Sequence, residues 1–99
     1  MRVTLSPLAE RDLEAIGDYI AAEDPVRAMQ FIDRLRAQCA ALAKAPKGYR
    51  LRPELGPDIR SCACGSYVLF FNVGKTRRTV VRILHGATDI PARFPAGPE

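Results

Sequence analysis

The sequence lacks the features that are typical of membrane, exported and disulfide-stabilised proteins. No apolar run approaches the ~20 residues of a membrane-spanning helix, because charged residues interrupt every stretch. The first residues contain no apolar signal-peptide core, and three cysteines (Cys39, Cys62 and Cys64) form no even disulfide framework. Paired Cys-x-x-Cys motifs and phosphate-loop spacings are also missing, so the thiols are interpreted as small buried side chains. We therefore expect a cytoplasmic protein with no metal site, no cofactor and no membrane contact.

The composition indicates one small folded domain. The chain has 99 residues, of which 47% are hydrophobic and 26% charged, and this balance excludes a disordered or low-complexity protein. A chain of this length builds a single modest core, and a large internal substrate cavity is not expected. We assign residues 1–99 to one domain and predict that residues 90–99, which include Pro91, Pro95 and Pro98, form an irregular tail.

The charges are divided unevenly along the chain. Through residue 43 there are five basic and seven acidic residues, whereas from residue 44 onward there are ten basic and four acidic ones. The net charge is therefore −2 in the first part and +6 in the second. An anionic partner, either nucleic acid or an acidic protein segment, would complement the second part. A solvated basic surface is the alternative.

The first half of the sequence predicts two amphipathic helices. Ser6-Pro7 and Asp24-Pro25 each combine an N-cap residue with proline at the first helical position. Apolar residues then recur every three or four positions. They are Ala9, Leu13, Ile16 and Ile20, followed by Ala28, Phe31, Ile32, Leu35, Cys39 and Leu42. Pro46-Lys47-Gly48 ends the second helix, and the short link makes the pair an antiparallel hairpin.

The remaining segments favour β-structure. A short strand at residues 3–5 precedes the helices, and β-like segments follow at 59–64, 67–73 and 79–85. Gly65-Ser66 and residues 73–76 suit hairpin turns, and residues 49–57 are typical of an extended loop. The predicted fold class is α+β, with the order β-α-α-β-β-β and a helical hairpin packed on a small curved antiparallel sheet.

Both faces of this sheet are predicted to be apolar. Residues 67–71 are apolar at every position. In the last strand, Val80 and Leu84 are expected to share a face with Arg82, and Val81 and Ile83 are expected to share the other. One helical hairpin covers only one face of a sheet. Either the sheet curls and is closed by loops or the tail, or a partner fills an apolar groove on the second face.

Three sequence blocks in this order resemble one known family. The first is Ala9-x-x-Asp12-Leu13-x-x-Ile16-x-x-Tyr19-Ile20. The second is Arg60-Ser61-Cys62-x-x-Gly65-Ser66-Tyr67-Val68-Leu69-Phe70-Phe71. The third is Val81-Arg82-Ile83-Leu84-His85-Gly86, followed by Asp89. From about Val3 to Asp89 the chain resembles the ParE branch of the RelE/ParE toxin superfamily.

The resemblance implies a fold, a function and partners. Family members are helical hairpins on a small antiparallel sheet, each encoded beside an antitoxin whose C-terminal segment wraps the toxin. ParE-like members poison DNA gyrase, and the resemblance implies this target, a ParD-like antitoxin, and a hetero-oligomer with that antitoxin on operator DNA. The side chains expected to contact antitoxin or target are Arg60, Val68, Phe70, Val80, Arg82 and Leu84.

The RelE branch supplies an alternative, because its members cut mRNA on the ribosome. Metal-independent RNA cleavage needs a base, cations at the phosphate and an acid for the leaving group. The candidates here are Glu54, Arg60, Arg82 and His85. The basic cluster and late tyrosine of RelE are missing, so no catalytic residues are expected. For His85 the alternative is a structural role, in which it is hydrogen-bonded to the loop that follows it. For the whole chain, a further alternative is a degenerate family member that is not toxic.

Overall fold

A computed structural model describes residues 2–42, 44, 49–74 and 77–94. The elements are β1 (Arg2–Leu5), α1 (Pro7–Ala21), α2 (Pro25–Ala41), β2 (Arg50–Leu51), β3 (Ile59–Cys64), β4 (Tyr67–Val73) and β5 (Arg77–His85). Two 3-10 turns lie at Pro53–Leu55 and Pro91–Arg93. The predicted α+β class is confirmed. Strand β2 was not predicted, because it lies within residues 49–57, which were expected to form an extended loop.

Three sequence-based predictions fall partly outside this description. The helix stop at Pro46-Lys47-Gly48, residues 75 and 76 of the second hairpin turn, and tail residues 95–99 all lie outside the described residues. Within the described part, no helix has the length and apolar character needed to cross a membrane.

Both helices begin where their capping signals predict. The Ala9 N–H donates to Ser6 Oγ at 3.0 Å, and the Arg27 N–H donates to Asp24 Oδ1 at 3.1 Å. Each cap satisfies a backbone donor that has no partner inside its helix. Ser6 also fixes α1 to the sheet, since its Oγ donates to the Val81 carbonyl at 2.8 Å.

The five strands form one mixed sheet in the order β1-β5-β4-β3-β2. Strands β2 to β5 pair antiparallel, as predicted, whereas β1 pairs in parallel with the first half of β5. The chain can make this parallel pairing because the helical hairpin and three strands separate β1 from β5.

The helices cover one face of the sheet. On this helix-covered face, Leu69, Phe71, Val80 and Ile83 are each at most 2% exposed and pack against buried helical residues. Those helical residues are Ala9, Leu13, Ile16, Leu35 and Cys39. The apolar stripes predicted for the two helices supply six of the twelve buried residues of the main core, counting Leu42, and the strands supply the other six.

The opposite, outer face of the sheet is closed by the chain itself. Ile59, Phe70 and Leu84 are buried there. Leu55 from the first 3-10 turn and Ile90 and Phe94 from the tail pack against them, together with Val68 and Val81. Of the two readings of the doubly apolar sheet, closure by loop and tail is the one that the structure adopts.

A β-bulge overturns one prediction about these faces. Phe70 pairs with Arg82 but Phe71 pairs with Val80, so Val81 is an extra residue in β5. An extra residue reverses the in–out alternation beyond it. The expectations that Val80 shares a face with Leu84 and Arg82, and that Val81 shares one with Ile83, are therefore wrong. Val80 is buried beneath the helices, and Val81 packs on the outer face instead.

The cysteines are buried and free, as their interpretation as small apolar residues predicts. Gln38 Nε2 donates to the Cys62 Sγ at 3.0 Å. Burial raises the pKa of Cys39 to about 11, so this thiol stays protonated at neutral pH. Among the described residues, no group of three or more His, Cys, Asp or Glu side chains is arranged to hold a metal ion.

We expect the thiols to resist alkylation in the folded protein. The thiolate is the nucleophile, and burial both excludes the reagent and disfavours ionisation of Cys39 at pH 8. Mass spectrometry after iodoacetamide treatment should show almost no adduct in buffer and three adducts in concentrated urea. Rapid labelling of Cys39 under native conditions would contradict its placement in the core.

Candidate functional site

The four nuclease candidates are not brought together. Arg60 pairs with Phe71 and His85 pairs with Tyr67, so both lie on the helix-covered face, because opposite residues share a face. Their partners are four residues apart on β4, which is about 13 Å along the strand. Arg82 pairs with Phe70, at the outer face. The geometry thus separates the groups that a single cleavage site would require.

Two of these candidates are held by neighbouring groups in the β2 region. Arg52 Nε donates to Glu54 Oε2 at 2.7 Å, and this hydrogen bond lowers the pKa of Glu54. The Glu54 carboxylate is therefore ionised and already bonded, which disfavours a role as proton donor. Arg60 Nη1 donates to the Tyr49 carbonyl at 2.9 Å, which fixes the start of β3 to the preceding loop.

Arg82 is the centre of a network that joins three parts of the fold. Its Nε and Nη2 donate to the two carboxylate oxygens of Asp12 at 2.8 and 2.9 Å, and its Nη1 donates to the Arg93 carbonyl at 2.8 Å. Asp12 also accepts the Ile83 N–H at 2.9 Å. The bond to Asp12 raises the pKa of Arg82. Helix α1, strand β5 and the tail are therefore linked through this one guanidinium.

His85 makes the contact expected of a structural histidine at a strand end. The Ala87 N–H donates to His85 Nδ1 at 3.0 Å, and the imidazole meets the Tyr67 ring edge-on with centroids 5.2 Å apart. The hydrogen bond fixes the loop that follows β5.

The predicted binding residues divide between the two faces. Val68, Phe70 and Leu84 lie together on the outer face, whereas Arg60 and Val80 lie on the helix-covered face. Phe70 is fully buried and contacts Phe94 edge-on, with ring centroids 5.3 Å apart. The sheet face around Phe70, which one of the two sequence-based readings left open as an apolar groove, is thus covered by the protein's own tail.

An open cleft lies elsewhere, between the hairpin end and the β3–β4 turn. This hairpin cleft has a volume of about 720 Å³ and is lined by the end of α1, the start of α2, residues 65–67 and His85. Phe31, predicted as a core residue, is only partly buried and forms part of its wall. Sequence reasoning missed the cleft, although Arg27, Phe31 and Arg34 share the spacing of one helix face.

A family comparison covers nearly the whole chain. The sequence profile for the ParE toxin of the type II toxin-antitoxin system parDE matches residues 3–90. The chain belongs to the ParE toxin family. No curated protein sequence matches it significantly.

Solved structures share the fold of this ParE-family chain. The chromosomal ParDE toxin-antitoxin system from P. aeruginosa is similar with a TM-score of 0.74 and 23% identity, over 86% of this chain and 95% of that one. The toxin-antitoxin complex RelBE2 from Mycobacterium tuberculosis is similar with a TM-score of 0.54 and 23% identity, over 85% and 95% of the two chains. The family and fold implied by the sequence motifs are therefore confirmed.

One residue of the ParE-family pattern gains a role from the structure. Sequence analysis named Asp12 only as part of the first motif and did not connect it with Arg82, 70 residues away. The sequence signal that could have indicated a role for Asp12 is its presence in the first motif. The structure shows that Asp12 fixes both the Arg82 guanidinium and the β5 backbone.

Proposed function

We propose that this ParE-family chain is a cytoplasmic toxin that poisons DNA gyrase by binding it and is neutralised by a cognate ParD-like antitoxin. The observation that carries the choice of binding over catalysis is the separation of the nuclease candidates. Arg60 and His85 lie about 13 Å apart along the sheet, and Arg82 is paired with Asp12. Gyrase is inferred from the resemblance to ParE toxins.

The chemistry of RNA cleavage supports the same choice. A general base must lie within hydrogen-bond reach of the 2′-hydroxyl, and cations must surround the phosphate as its charge increases. Glu54 is bonded to Arg52 on the β2 side of the sheet, whereas His85 lies at the far end of β5 and accepts a backbone N–H. Without a large rearrangement these two groups cannot act on one phosphodiester.

The charge distribution supports an acidic antitoxin segment as partner. The basic residues Arg50, Arg77 and Arg93 are exposed, and the chain carries a net charge of +4. Opposite charges on a partner would steer its association and favour the correct register. We include in the proposal a hetero-oligomer of toxin and antitoxin bound to operator DNA.

Expression of the chain alone in bacteria tests the proposal. We expect filamentation and gyrase-linked DNA breaks, both suppressed by co-expression of the adjacent reading frame. Arg60→Ala and His85→Ala should leave the DNA breaks within a few fold, since loss of a partly exposed contact costs about 1 kcal/mol.

Two other outcomes would contradict the proposal. If mRNA is cut and the cutting falls by roughly 10²–10³ in each alanine variant, the chain is a ribonuclease. If the folded protein accumulates without any growth effect, it is a family member that has lost toxicity.

A further inference from the structure

The sheet carries positive charge without any negative charge of its own. Strands β1, β2 and β3 each contain one arginine and β5 contains three. Among the five strands that the structure describes, none contains an aspartate or a glutamate. Helices α1 and α2 together contain five acidic and four basic residues. The sheet layer is therefore strongly cationic, whereas the helical layer is close to neutral.

A row of hydrogen-bonding side chains crosses the outer face of the sheet. Asn72 pairs with Ile59, which is buried on this face. Asn72 also pairs with Thr79, which pairs in turn with Thr4. Paired residues share a face of the sheet, so the three polar side chains lie side by side. All three are partly exposed, and they present amide and hydroxyl groups to a partner.

Two exposed arginines flank this row. Arg77 lies two residues before Thr79 in β5 and therefore on the same face. Arg50 pairs with Ser61, which pairs with Phe70 on the outer face. Among the described residues, neither arginine forms a salt bridge. Strands β2 and β5 are separated by three strand spacings, which is about 14 Å.

A third arginine lies beside Arg50. The Arg52 N–H donates to the Ile59 carbonyl at 2.7 Å, so the pairing with β3 continues and Arg50 and Arg52 face the same side. The Arg52 guanidinium lies over the Phe70 ring, 5.5 Å from its centroid. Its charge is partly neutralised, because its Nε donates to Glu54. The free charge on this face is therefore that of the two exposed arginines.

The exposed part of the outer face favours a polyanion over an amphipathic peptide. Its apolar residues are covered by Leu55, Ile90 and Phe94, whereas a peptide partner gains most of its affinity from buried apolar anchors. An acidic antitoxin segment would be attracted by the same charges, but it would have to place its apolar residues elsewhere. Phosphate groups are contacted by arginine, asparagine and threonine side chains without such anchors. Over about 14 Å, a DNA duplex presents about eight phosphate charges.

We propose that this basic sheet surface, formed by Arg50, Arg52, Asn72, Arg77 and Thr79, binds the phosphate backbone of duplex DNA without reading its sequence. The contact is made by the toxin itself and so goes beyond the binding of gyrase and antitoxin. The choice of duplex DNA rests on the proposed function, which brings the chain to DNA at gyrase and at the operator.

Salt dependence and matched removal of charge test the proposal. The complete chain is titrated into a fluorescein-labelled duplex of about twenty base pairs, and anisotropy gives Kd. The slope of log Kobs against log salt concentration should be about −3, as for three phosphate contacts. Arg50→Gln and Arg77→Gln should each weaken binding about tenfold at about 50 mM salt and bring the slope nearer to zero by about one. Duplexes of different sequence should bind equally.

Two controls separate the place of the charge from its amount and from folding. Arg36→Gln removes the same charge from an exposed position of α2, and it should bind within about twofold of the parent. Asn72→Ala should weaken binding about fivefold at every salt concentration with an unchanged slope, because it removes a hydrogen bond and no charge. The arginine variants should keep the parent's Tm within about 2 °C, as surface substitutions do.

Each contrary outcome has one meaning. No binding of the duplex by the parent, or equal losses for Arg36→Gln and Arg50→Gln, would overturn the surface and leave the proposed function standing. If single-stranded RNA of the same length binds more tightly and loses affinity in the same variants, the surface is an RNA site. If a polyglutamate peptide of matching charge displaces the duplex, the partner is an acidic protein segment. Duplex binding by a chain that causes no gyrase-linked breaks in bacteria would overturn the proposed function alone.

Discussion

Phe70→Ala is expected to lower the free energy of unfolding by about 3–5 kcal/mol, because truncating a buried aromatic side chain leaves a cavity. Phe70 is 0% exposed, and Phe94 from the tail and the Arg52 guanidinium both contact its ring. Urea unfolding followed by circular dichroism measures the loss. The result decides whether the outer face is part of the folded core.

The control for this prediction is Leu51→Ala, on the edge strand. Leu51 is 47% exposed, so its truncation should change the free energy of unfolding by less than about 0.5–1 kcal/mol. If Phe70→Ala costs no more than this control, the tail does not cover the outer face in solution. That face would then be open to a partner, as the alternative reading of the sequence proposed.

Local signals explain why the helical part of the fold could be predicted from the sequence. Ser6-Pro7 and Asp24-Pro25 act within one helical turn, and the structure shows the two expected capping bonds. The apolar stripes are equally local, since residues three and four apart meet on one side of a helix. Each of these elements is encoded within its own segment of about fifteen residues.

Sheet faces are harder to predict, because one extra residue reverses them. The alternation in the last strand predicted that Val80 faces outward with Leu84, and no residue type marks the bulge at Val81. Its position depends on how β5 pairs with β4 and β1 together. Such register choices are set by tertiary pairing rather than by the strand sequence.

The contacts of the candidate site also depend on tertiary packing, which the local sequence does not determine. Arg82 was identified from its motif, but its partner Asp12 lies 70 residues earlier in the chain, and spacing alone cannot connect them. The hairpin cleft likewise combines α2 with a turn between two later strands. The stripe of Arg27, Phe31 and Arg34 was present in the sequence, but only the packing shows that Phe31 lies at the edge of the core.

Asp12→Ala is expected to destabilise the fold by about 3 kcal/mol, because it leaves a partly buried guanidinium and a backbone donor without their acceptor. Arg82 and Asp12 side chains are only 16% and 14% exposed, so water replaces the carboxylate incompletely. The Ile83 N–H loses its acceptor as well. Urea unfolding should therefore show a much lower midpoint with an unchanged m-value.

Four further variants distinguish the lost ion pair from a general effect on α1. Glu10→Ala, at an exposed position of the same helix, should change stability by no more than about 0.5 kcal/mol. Asp12→Asn keeps an acceptor for the Ile83 N–H but removes the charge. Its loss in free energy of unfolding should therefore lie between those of Glu10→Ala and Asp12→Ala. In a double-mutant cycle, Asp12→Ala combined with Arg82→Met should be less destabilising than the sum of the single changes, by roughly 1–3 kcal/mol. Strict additivity would show that the two side chains do not interact in solution, and the link between helix, strand and tail would then have to be abandoned.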